Sequence, residues 1–204
     1  MILVGRYLSP FVRRVATTMY LYDLPFEHRP FAVVGDDRQK IRDLNPVIRV
    51  PALILDDGET LIDSGAILDY LDEQVGPERA LTPASGTERR RVLKLMAVAV
   101  GAVEKATLVA YEKRYRPEEK WHPPWVEMIS EQSRSGFQWL DGQAGSPWLA
   151  GSQLTQADLT TAAAYEFMRI ATPELFAILE CPKLETLSQE LSTLEAFRKT
   201  VPPA

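Results

Sequence analysis

Cysteine is almost missing from this chain. Cys181 is the single one in 204 residues, which excludes an internal disulfide framework and a C-x-x-C redox pair, and leaves no cysteine-built zinc site. A reducing compartment, the cytoplasm, is the expected location. The two histidines, His28 and His122, stand in no metal-ligand spacing with each other or with acidic residues, so no metal is expected. Long apolar runs are missing too. None approaches the roughly 18 residues of a spanning helix, and the opening MILVGRYLSPFVRR reaches arginine too early for the core of a signal peptide. Charge of one sign is nowhere concentrated. The net charge is -5 with basic and acidic residues interspersed, which gives no footprint for nucleic acid or for an anionic membrane. The nearest basic run, Arg89, Arg90 and Arg91, follows Glu88 and reads as a solvated helix face. Repeats and low-complexity segments are absent.

What is present is a chain with 46% hydrophobic residues, enough for a sizeable core. Its first third mixes short apolar runs with amphipathic stretches. Strands are expected at 1–4, 26–31, 52–55 and 60–62, with helices at 10–22, 38–44 and 64–75. Asp57-Gly58 between the last two strands is a hairpin signal. The order β-α-β-α-β-β-α describes a small mixed sheet with helices against it. Residues 77–86 carry Pro77, Pro83, Ser85 and Gly86, the composition of a linker. Everything from 87 to 204 reads as helix, with long segments at 87–115, 124–141 and 156–169 and shorter ones at 173–179 and 183–197. The expected domains are 1–76 and 87–204.

Several local patterns have a second property. Ser9-Pro10 is a helix N-cap followed by proline at the first helical position. Asp63-Ser64 precedes a strongly helical run, with Ser64 as the expected N-cap. Thr155 and Asp158 make an S/T-x-x-D capping box, read as structural. Cys181, before Pro182, reads as a small apolar filler.

Taken in order, Ser9-Pro10-Phe11-Val12-Arg13-Arg14-Val15, Asn45-Pro46-Val47-Ile48-Arg49-Val50-Pro51-Ala52-Leu53 and Leu61-Ile62-Asp63-Ser64-Gly65-Ala66-Ile67-Leu68-Asp69-Tyr70-Leu71 resemble three motifs of the soluble glutathione transferases. Leu154-Thr155-Gln156-Ala157-Asp158 is similar to an element of their helical domain. The resemblance is densest in the first third and to a serine-containing, bacterial-type member. It departs at Ile48, where the family has glycine. It implies a thioredoxin-like domain with a mixed four-stranded sheet, then an all-helical domain, and a homodimer.

The resemblance also implies roles. The Ser9 hydroxyl at a helix N-terminus would donate to the glutathione sulfur and favour thiolate over thiol. Tyr7 is the competing hydroxyl, ranked second because Ser9 has the better motif match. A serine here cannot form a mixed disulfide, which favours transferase chemistry over deglutathionylation. Val50-Pro51 would carry a cis bond that turns the Val50 peptide groups toward the cysteinyl unit, like an added strand edge. Asp63 and Ser64 would face the γ-glutamyl group, and Arg49 and Lys40 are candidates for the glycyl carboxylate. Phe11, Tyr111, Arg114 and Tyr115 are candidates for the electrophile pocket, with Trp121 nearby. No cofactor beyond glutathione is implied. The implied activity is addition or substitution on small, largely apolar electrophiles. The alternatives are a glutathione-dependent isomerase or dehalogenase and a noncatalytic binding module of the same fold.

Overall fold

The structure, a computed structural model, describes residues 1–145 and 147–203. Four three-residue strands, β1 (Ile2–Val4), β2 (Glu27–Arg29), β3 (Ala52–Ile54) and β4 (Thr60–Ile62), form one sheet in the order β2-β1-β3-β4. β1 and β2 run parallel and the other two pairings are antiparallel, giving the mixed sheet that the element order predicts. Three helices accompany it: α1 (Pro10–Leu21), α2 (Arg38–Leu44) and α3 (Ser64–Val75).

Strand alternation sorts the side chains into two layers. Val4 and Ala52, paired across β1 and β3, pack with Ile41 of α2, and Phe31, Ile48 and Val50 close around them. Leu3 and Leu53, also paired, are fully buried on the opposite face. α1 and α3 pack against each other, with Val15, Met19, Ile67 and Leu71 completely buried.

The chain divides into two compact units, Met1–Ala84 with Ser192–Ala204, and Ser85–Leu191. The assignment of the C-terminal segment to the first unit differs from the expectation that 87–204 forms one domain. The cause lies in α9 (Glu195–Arg198): Phe197 sits 4.0 Å beneath the Arg13 guanidinium, and the Thr200 hydroxyl lies 3.0 Å from that of Thr17. The Pro- and Gly-rich segment is also held to the first unit, because the Tyr22 hydroxyl donates to Asp72 and accepts from the Leu81 N–H at 2.6 Å.

The second unit contains α4 (Gly86–Tyr115), α5 (Pro123–Gln143), α6 (Gln156–Ala171), α7 (Pro173–Ala177) and most of α8 (Pro182–Thr193). α4 packs on α5 and α6. Gly136 permits a close approach of the first pair, since a Cβ there would stand 2.7 Å from that of Ala102. Among the described residues no helix is long and apolar enough to cross a membrane.

Candidate functional site

The start of α1 follows from its sequence. Ser9 has extended backbone angles and Pro10 takes the first helical position, where its missing N–H costs nothing. The Ser9 Oγ accepts from the Val12 N–H at 3.4 Å, a long bond. Its own O–H donates to none of the described residues. A half-buried hydroxyl therefore stands at the partially positive end of a helix with its proton unspent.

Tyr7, two residues upstream, is engaged elsewhere. Its ring stacks on His28 with centroids 4.0 Å apart, and His28 Nε2 donates to the Gly5 carbonyl at 2.7 Å. Burial, with Tyr20 adding to it, pushes the Tyr7 phenol well above the usual tyrosine range. Tyr20 belongs to the far end of α1, eleven residues and roughly 16 Å of helix beyond Ser9.

The loop before β3 is built by Asn45. Its side chain accepts from the Val47 N–H at 2.9 Å and donates to the Arg49 carbonyl at 3.0 Å, while its carbonyl accepts from the Ile48 N–H. Ile48 takes φ of +55°. The chain thus follows a path suited to glycine although a β-branched residue occupies it. The Val50-Pro51 peptide bond is cis. The peptide groups of Val50 take part in no hydrogen bond with the described residues, which leaves both open to an extended ligand backbone.

Gly5 is a residue that motif reading missed. It ends β1 with φ of +127°, and a Cβ there would stand 2.5 Å from Val12 Cγ2 and 2.8 Å from Val50 Cβ. The side-chain-free position lets the first turn of α1 and the Val50 loop close on each other. An isolated glycine directly after a buried strand was the available signal.

At α3 the N-cap is Asp63, not Ser64 as expected. Asp63 adopts φ of +70° and its carboxylate accepts from the Gly65 N–H at 2.7 Å, so Ser64 becomes the first helical residue. Ser64 is buried, and its Oγ accepts from Arg14 Nη2 at 2.6 Å. Arg14 is a second residue to which sequence reading gave no role. Arg49 is exposed, with its guanidinium 5.9 Å from the Phe11 ring. Lys40 is paired with Asp37 at 3.0 Å and lies over the Phe31 ring.

In the second unit Tyr111 and Tyr115 make an edge-on pair 5.3 Å apart on the last turns of α4, both exposed, with Arg114 exposed between them. Trp121 donates from its ring to the Arg116 carbonyl. Cys181 is buried, and burial followed by the charge of Asp141 pushes its thiol up to about 12. That agrees with a packing role and removes it as a nucleophile at neutral pH.

Comparison with known proteins gives this geometry its context. Residues 3–79 match the family Glutathione S-transferase, N-terminal domain, and residues 123–197 match Glutathione S-transferase, C-terminal domain. The chain is 27% identical over 201 residues to the GST-like protein YibF of Escherichia coli, covering 98% of each. It is 27% identical to the maleylacetoacetate isomerase of Pseudomonas aeruginosa, covering 96% of this chain and 93% of that one. Among solved structures, a glutathione transferase family member from Pseudomonas fluorescens with bound S-(propanoic acid)-glutathione superposes with a TM-score of 0.86 at 30% identity, covering 100% of both chains. The chain, in sequence and in the architecture of both its units, belongs to the glutathione S-transferase family.

Proposed function

We propose that the protein is a glutathione transferase of the cytoplasm, working as a homodimer, that holds the glutathione thiol as thiolate at the start of α1 and directs it at small, largely apolar electrophiles. The observation that carries this reading is the unspent hydroxyl proton of Ser9. A thiol with an ordinary pKa of about 8.5 is only a few per cent ionised at neutral pH. Lowering it by about two units needs roughly 3 kcal/mol. A charge-assisted hydrogen bond from Ser9 contributes about 1.5–3 kcal/mol, and the N-terminal partial charge of α1 adds to it.

The remaining groups fit a tripeptide. The open Val50 peptide would take the cysteinyl backbone, the α3 N-terminus with Asp63 and Ser64 would take the γ-glutamyl end, and Arg49 or Lys40 would meet the glycyl carboxylate. Phe11, Tyr111, Arg114 and Tyr115 are proposed for the electrophile. In substitution, the thiolate pair forms the carbon–sulfur bond as the leaving group departs with its own pair. In addition, the carbanion formed next to the new bond takes a proton from water. The protein's part is thiolate stabilisation and proximity.

A second reading, isomerisation, is favoured by the similarity to the isomerase of Pseudomonas aeruginosa. The same thiolate, added reversibly to an activated double bond, permits rotation and is then expelled unchanged. Consumption of glutathione per turnover separates the two.

The test is ultraviolet titration of the bound thiol on the purified protein beside Ser9→Ala. The bound thiol should titrate below the free one, and most of that shift should vanish in Ser9→Ala. Binding with an unshifted thiol, or no binding, would point to the noncatalytic module instead.

A further inference from the structure

We propose that Arg14 is the positioning residue for Ser64, fixing its hydroxyl as a hydrogen-bond donor toward a carboxylate; the inference rests on the glutathione reading above. α1 carries two adjacent arginines, both with 4% exposure. Their surroundings divide the work. Arg13 holds the C-terminal segment, with Phe197 against its guanidinium and Thr200 at 3.5 Å from Nε. Arg14 reaches to the start of α3, where Nη2 donates to Ser64 Oγ at 2.6 Å.

A serine hydroxyl has one donor and two acceptor positions and rotates to suit its neighbours. Left to itself, Ser64 could accept from an ammonium group as readily as it donates to a carboxylate. A guanidinium has donors only, so its bond to Oγ occupies an acceptor position and turns the serine proton away from Arg14. Burial of both residues keeps water from competing for that position. The hydroxyl sits in the first turn of α3, whose free N–H groups also favour an anion. Asp63, the neighbouring acceptor, gives one carboxylate oxygen to the Gly65 N–H and has the other for a cationic group. Arg14 therefore adds a full positive charge one hydroxyl behind an anion-directed surface, and the ligand group this polarity selects is a carboxylate. In glutathione that group is the α-carboxylate of the γ-glutamyl end.

The experiment uses the whole protein and two ligands that differ only in that group, glutathione and γ-aminobutyryl-cysteinylglycine. Binding of each is measured calorimetrically for the wild type, Arg14→Met, Arg14→Lys, Ser64→Ala and the Arg14→Met/Ser64→Ala double variant. Arg14→Met should weaken glutathione roughly tenfold or more, while its affinity for the decarboxylated ligand stays within about twofold of wild type. The double variant should bind glutathione no more weakly than Ser64→Ala, and Arg14→Lys should recover part of the loss. Equal weakening of both ligands, or additive losses in the double variant, would reduce Arg14 to a packing role and overturn the proposal. Should Arg14→Met fail to fold, Arg14→Lys decides by the same ratio of the two affinities. A wild type that binds neither ligand overturns the glutathione reading itself. A wild type that binds both equally overturns this proposal alone.

Discussion

Two helix starts in this protein use the same kind of residue and end in opposite states. At α6 the capping box is closed: the Thr155 N–H and hydroxyl both reach Asp158 Oδ2 at 2.8 Å, and the Leu149 N–H reaches Oδ1 at 2.7 Å. Asp158 is completely buried, and burial raises its carboxyl above the usual range against the pull of those donors. At α1 the Ser9 cap makes one long bond and keeps its proton. A cap that uses every group stabilises the fold, whereas a cap that leaves a directed donor open is available for chemistry.

The largest expected effect sharpens this contrast. Asp158→Ala strands three donors, two of them backbone N–H groups, and should cost about 3 kcal/mol or more of stability, read from denaturant unfolding. Asp158→Asn, which keeps an acceptor, should cost less than the alanine variant. Ser9→Ala should cost only about 1 kcal/mol, in the range of an ordinary cap, while removing most of the thiol shift. Comparable stability losses at the two caps would erase the distinction.

A smaller effect concerns Ile48, which departs from the family pattern without departing from its backbone path. In ordinary backbone an alanine is more stable than a glycine by about 0.5–1 kcal/mol. At φ of +55° the left-handed conformation costs a non-glycine residue roughly 1–2 kcal/mol. The usual order should therefore reverse, with Ile48→Gly about 1 kcal/mol more stable than Ile48→Ala in matched thermal or denaturant unfolding. Comparing these two variants with each other cancels the packing that both lose from the Val4, Ile41 and Ala52 cluster. An unreversed order would mean that the loop relaxes when the isoleucine leaves.

How much of this could be read in the sequence depends on the range of the interaction. The element order and most helix limits were legible because alternation, the Asp57-Gly58 turn and Pro10 are local signals, and the α6 capping box lies within four residues. Asp63 takes the cap assigned to Ser64, whose hydroxyl accepts instead from Arg14, 50 residues away, and no local pattern encodes that contact. The grouping of the C-terminal segment with the first unit rests on Arg13 and Phe197, again a contact between distant parts of the chain. Gly5 was visible as a residue, but its purpose appears only when Val12 and Val50 stand on either side of it.

The smallest effect bears on which hydroxyl at the start of α1 is the open one. Tyr7 and Ser9 are close enough in sequence to compete, yet Tyr7 is stacked on His28, and burial, with Tyr20 adding to it, raises its phenol pKa. Its raised pKa keeps the phenol protonated at neutral pH. Tyr7→Phe, which keeps the ring that stacks on His28, should therefore change stability by no more than about 1 kcal/mol. The bound-thiol titration should overlay that of the wild type within about 0.3 pH units, equivalent to roughly 0.4 kcal/mol. If instead the thiol shift survives Ser9→Ala and vanishes in Tyr7→Phe, the ring must leave its stack to reach the sulfur. The open donor would then be created by ligand binding, and a ring held in a stack in the free protein would no longer mark a structural residue.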